Sequence, residues 1–104
     1  MDRERFDIEL LDDKDPFEFD DDWQRFHLAK HGGLDSNDVR EAWASDPLFY
    51  PAHPEGRADW LMVAQVPEGI MVVPLAPGST PDKARPCGLY PAPPRLEHRY
   101  LRDR

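Results

Sequence analysis

The stretch DWLMVAQVPEGIMVVPL, residues 59–75, decides how this chain is read. Two apolar runs, 59–66 and 70–75, flank Pro67-Glu68-Gly69. Valine, isoleucine and tryptophan suit a pleated backbone, and three turn residues ending in glycine between two such runs are the pattern of a β-hairpin. No other segment is as rich in sheet-forming residues, so the rest of a small domain has to pack on this hairpin. Pro74 has no N–H to give to a ladder, which predicts a sheet edge or a bulge near the end of the second run.

Working outward towards the N-terminus, Leu48-Phe49-Tyr50 predicts a short strand that enters a loop at 51–57. Before it, Asp35 is placed to cap a helix, with Leu34 and Val39 at the spacing of a hydrophobic staple and Asp38 one turn in. Val39, Ala42 and Trp43 give that helix an apolar stripe, and it should stop near Ala44, ahead of Asp46-Pro47. An earlier helix is predicted over 23–31, started by Asp20, Asp21 and Asp22 and ended by Gly32-Gly33. Pro16 to Asp20 alternates, with Phe17 and Phe19 on one side, as an edge strand does. Residues 1–14 mix charged and apolar side chains without a clean period and read as a solubilising, partly disordered arm. On the other side of the hairpin, 77–84 is a loop and 85–90 a last strand interrupted by Pro86 and Gly88. Pro93 and Pro94 suit the first turn of a closing helix over 95–101. The expected architecture is α+β. Two N-terminal helices and a short C-terminal helix pack on one face of a 3–5-stranded, mainly antiparallel sheet. Residues 1–15 form an acidic arm and 16–104 a single domain.

With 104 residues the chain has material for one modest core. No apolar run approaches the roughly 20 residues that span a bilayer, and the first residues lack an apolar signal segment, so no membrane association and a cytoplasmic setting are expected. One cysteine, Cys87, excludes an internal disulfide. The net charge of -8 is segregated: residues 1–22 hold 11 acids and three bases, whereas 83–104 hold two acids and six bases. The acidic head and the basic tail can attract each other or face different partners.

The side-chain chemistry is sparse. His27 and His31 share a helical face, but without the glutamate of a zinc-protease motif or a third defined ligand they are read as ordinary partly buried or surface histidines, and no metal or other cofactor is expected. Cys87 reads as a small packing residue. Ser36, Ser45 and Ser79 lie in turn or cap contexts, and the glycines make no phosphate-cradling loop. Cations remain: Arg85, Arg95, His98, Arg99 and Arg102 late in the chain, and Lys30 and His31 at the end of the first helix. A metal-free ribonuclease needs an acid, a base and cations for the phosphorane charge, and these residue types can supply them. On a helix Arg95, Arg99 and Arg102 line one face, which is equally the pattern of a solvated surface.

The element order carries three local patterns: Phe17-Glu18-Phe19-Asp20 leading to Lys30-His31-Gly32; Asp38-Val39-Arg40-Glu41-Ala42-Trp43 followed by Asp46-Pro47; and two apolar strands, then Arg85, then Arg99-Tyr100. In this order they resemble the BrnT-like branch of the RelE/ParE toxin superfamily, over roughly residues 16–101. The resemblance implies a RelE/BrnT-like fold and a small metal-independent ribonuclease that inhibits translation and is held by an antitoxin protein. It makes His31, Arg57, Arg85 and Tyr90 the candidate catalytic residues, with His31 or Tyr90 as acid or base. Lys30, Arg95 and Arg99 are the candidate RNA contacts. A second reading stays open. No Lys or Arg lies between Ala58 and Asp82, so the hairpin carries core and no cations, as suits a binding domain of the same fold without catalysis.

Overall fold

The computed structural model describes residues 4–19 and 36–104. The helix expected over 23–31, with Lys30 and His31, lies outside the described residues. Within them the order is a single 3-10 turn at Ile8–Leu10, helix α1 (Ser36–Ala44), strands β1 (Leu48–Pro51), β2 (Trp60–Val66), β3 (Gly69–Pro77), β4 (Ala84–Pro86) and β5 (Tyr90–Pro91), and helix α2 (Pro94–Asp103). All strand pairs are antiparallel, and the fold is α+β.

The hairpin is the centre. β2 and β3 pair from Trp60↔Leu75 to Val66↔Gly69, so the connection is Pro67-Glu68, and Gly69 enters β3 at φ 128, a value open to glycine at no steric cost. β1 joins β2, and β3 is flanked on its other side by β4 at one end and β5 at the other. The expected strand over 85–90 is therefore split in two. Pro74 sits inside this middle strand and not at an edge. Its carbonyl accepts from the Cys87 N–H at 2.8 Å, so its ring nitrogen faces the same side, where β4 has ended and β5 has not begun. The missing donor falls in the gap.

Both faces of the sheet are covered, which differs from the one-sided arrangement expected. Met62, Ala64, Val66, Met71, Val73 and Leu75 form one core with Val39 and Ala42 of α1 and with Leu11 and Phe17 of the N-terminal segment. Val63 and Val72, one residue out of phase, meet Tyr50 and Tyr100 on the other face, with Leu96 of α2 beside them. Alternate residues of a strand point to opposite faces, so runs apolar at every position are what a sheet buried on both sides requires.

The N-terminal segment is a layer of the core and not a loose extension. Leu11 and Phe17 are 5% and 4% exposed, and Phe6 and Ile8 pack against the same cluster. Phe6 is tied at both backbone groups: its N–H donates to the Asp59 carboxylate at 3.0 Å and its carbonyl accepts from the Trp60 indole at 2.9 Å. Arg5 donates to the carbonyls of Asp59 and Ala52 at 3.1 and 3.0 Å. Further on, Pro16 and Glu18 exchange backbone hydrogen bonds with Ala84, making the expected short strand a single parallel bridge, Phe17↔Ala84, on the outer side of β4.

Candidate interaction surface

The most distinctive surface is built by α2. Pro93 precedes its first turn and Pro94 opens it, where a missing N–H removes no helical bond. Leu96 and Tyr100 turn to the sheet. The Tyr100 hydroxyl accepts from the Gln65 N–H at 3.2 Å, taking up a donor on β2 that β1, ending its register at Leu48↔Val63, does not reach. The Tyr50 hydroxyl donates to Asp103 at 3.0 Å; burial first, and then that carboxylate, raises the Tyr50 pKa above its ordinary value. Asp103 also draws in Arg99 at 3.8 Å and Arg102 at 3.5 Å, and the Arg99 guanidinium lies 4.6 Å from the centre of the Tyr50 ring.

These anchors leave a groove of about 490 Å³ with Leu61, Pro93 and Leu96 along it and Arg95, His98, Arg99 and Arg102 around it. The floor is apolar and the rim is cationic. The arginines offer donors for carboxylate or phosphate groups, and Leu61 and Leu96 add an apolar contact between them.

The other candidate residues are placed apart from this groove. Arg57 is exposed in the loop joining β1 and β2, and Arg85 is on β4, so both lie at the end of the sheet where Trp60 pairs with Leu75. Arg85 is opposite Ala76 and Tyr90 opposite Val72, four residues along β3, or about 13 Å. Arg85 donates to Glu18 at 2.9 Å, and Glu18 also accepts from the Ser79 hydroxyl and from the Ser79 N–H at 3.0 Å. The Ser79 bonds first, and then Arg85, hold the Glu18 carboxyl down at about 2. The acidic head thus meets the basic tail at its first residues. Tyr90 is half-buried among the residues under α2, and burial raises its pKa. Arg95 and Arg99 share the exposed side of α2, as their spacing predicts.

Sequence reasoning missed Glu18, Ser79 and Leu61. Glu18 and Ser79 are 61 positions apart with no shared pattern, so only the fold brings them together. Leu61 was hidden in a run read as core. A further grouping, Asp38 and Glu41 of α1 with Glu68 of the hairpin turn, puts three carboxylate oxygens within 4.8 Å of one another. Asp38 and Glu41 are one helical turn apart, which is a weak signal, and surface carboxylates alone do not define a cation site. No helix among the described residues is long and apolar enough to cross a membrane. No protein-family model, curated protein or solved structure matches the chain, so its chemistry rests on its own residues.

Proposed function

We propose that this chain is a non-catalytic protein-interaction domain on a divergent RelE/BrnT-like fold, with the α2 groove as its binding surface. The order helix, four-strand meander, closing helix after residue 36 supports that fold reading. The observation that carries the functional reading is Arg85. A cation meant for a phosphorane must keep its charge available, and here the guanidinium is bonded to Glu18, itself fixed by Ser79. Tyr90 argues the same way. A half-buried phenol with a raised pKa holds its proton more tightly at neutral pH and makes a weaker acid. The alternative, a metal-independent ribonuclease restrained by an antitoxin, draws on Arg57 and Arg85 at one end of the sheet.

The two readings separate in one assay. Purified protein incubated with mixed RNA in chelator should leave the RNA intact, and soluble expression should leave growth unchanged. RNA cleaved by the wild type and spared by Arg85→Ala would overturn the binding-domain reading and leave the ribonuclease.

A further inference from the structure

Among the described residues, the two large apolar side chains left most exposed stand at opposite poles of the charge pattern. Leu10 is 57% exposed in the acidic arm and Leu101 is 44% exposed on the basic helix. Leu10 lines a shallow hollow with Phe6, Pro77 and Lys83 yet stays more than half exposed, and the neighbouring Asp7 and Glu9 face solvent, so acids outnumber the one lysine around it. The arm cannot bend away to hide this leucine, because Phe6 and Leu11 on either side are fixed to the sheet. It is a rigid, acid-flanked apolar knob. The α2 groove is its complement: an apolar floor of Leu61 and Leu96 between Arg95, Arg99 and Arg102. Within one molecule the two cannot meet, since the arm packs on the α1 face of the sheet and α2 on the other.

We propose that the α2 groove receives the acidic arm of a second copy of this chain, with Leu10 entering the apolar floor and Asp7 and Glu9 facing the arginines. The inference rests on the binding-domain reading above and names its partner. Because knob and groove lie on opposite faces, a two-fold pair cannot satisfy both contacts at once, and the association runs head to tail. The net charge of -8 opposes it only at long range; at physiological salt screening acts within about 8 Å, so the local patches decide. One leucine knob with a charged rim is smaller than a stable dimer interface, so the contact is weak, with a dissociation constant of roughly 0.1 mM.

Sedimentation equilibrium from about 10 µM to about 1 mM brackets that constant. The weight-average mass of the wild type should climb with concentration and pass twice the monomer without a plateau there. Leu10→Asp spoils the knob and Arg95→Glu/His98→Glu spoils the groove at two exposed rim positions; each should weaken self-association at least tenfold while circular dichroism and melting stay as in the wild type. Mixed in equal amounts, the two variants retain one intact knob and one intact groove between them, so they should form a pair that stops at two chains. A wild type that stays monomeric throughout overturns the proposal, as does a variant that associates like the wild type or a mixture that fails to pair. A monomeric wild type that binds a synthetic acidic leucine peptide or single-stranded RNA in the groove overturns it too, in favour of that occupant. The mass distribution reads this proposal and RNA integrity reads the binding-domain reading, so either can fail alone.

Discussion

Replacing Leu11 by alanine tests whether the N-terminal segment is a structural layer. Leu11 is 5% exposed in the core beneath the sheet, whereas Leu10 beside it is 57% exposed. Leu→Ala removes three carbons, which at about 0.8 kcal/mol each is about 2.4 kcal/mol of lost transfer energy. A cavity adds to that, although a segment at the edge of the core can settle inward and recover part of it, leaving roughly 2–3 kcal/mol. For a chain of this length 1 kcal/mol corresponds to about 5 °C, so the melting temperature of Leu11→Ala should fall by roughly 10–15 °C. Leu10→Ala should change stability by less than about 0.5 kcal/mol at low protein concentration. Urea unfolding followed by tryptophan fluorescence is a suitable readout, because the Trp60 indole is bonded to the Phe6 carbonyl and Trp43 meets Phe17 edge to face with ring centres 5.8 Å apart. The cost cannot exceed the free energy with which the segment docks, since a weaker dock would open locally first. Equal and negligible effects of the two substitutions would therefore refute the view that residues 4–19 are part of the core.

Glu18→Gln should reshape the acid limb of stability. The folded carboxyl titrates at about 2, below the ordinary unfolded range near 4.3, so its contribution is full above about pH 5 and fades as pH falls towards 2. With the pair near the surface this amounts to roughly 1 kcal/mol after solvent screening, and parallel wild-type and variant stability curves between those pH values would disprove it. Gly78→Ala should cost more than Gly69→Ala. An added Cβ at Gly78 would meet the Lys83 carbonyl oxygen at 2.6 Å, while at Gly69 it meets nothing within 4 Å and only the φ of 128 is penalised, by about 1–3 kcal/mol. Chemical denaturation of the two variants ranks them, and the reverse order would contradict the loop geometry. Tyr100→Phe removes the acceptor for the Gln65 N–H and should destabilise by about 1 kcal/mol. Amide exchange at Gln65 should speed up with it, and unchanged protection there would speak against the bond.

Local patterns in this sequence are legible because they need only near neighbours. The staple and stripe from Leu34 to Trp43 predict α1, and the structure gives Ser36–Ala44 with Val39 and Ala42 buried. The prolines before Arg95 predict α2, and the apolar runs about Pro67-Glu68-Gly69 predict the hairpin. The i, i+4 and i+7 spacing likewise places Arg95, Arg99 and Arg102 on one side of a helix. The unbroken apolar run 60–64 is also the signal of a sheet covered on both faces. The expectation of helices on one face fails because the second face is covered by α2, whose position the local pattern does not fix. The docking of the arm is hidden in the sequence for a related reason. Its charges dominate the composition, yet Phe6, Ile8 and Leu11 supply enough apolar surface to dock.

What the sequence by itself determined is the central hairpin, the helices α1 and α2, the α+β class and the split of charge between head and tail. Capping, turn chemistry and hydrophobic period act over a few residues and survive without knowledge of the partner surface. What only the tertiary structure decided is which groups share a place. It bonds Arg85 to Glu18 and Glu18 to Ser79, puts Leu61 into the groove beside α2, and seats the acidic arm on the face away from the basic helix. These depend on the register of β2 on β3 and on which side of the sheet each segment crosses, and a one-residue slip would send every side chain to the opposite face. Charge segregation is written along the chain; the fold joins the two poles at Glu18 and Arg85 and sets the sheet between Leu10 and the α2 groove.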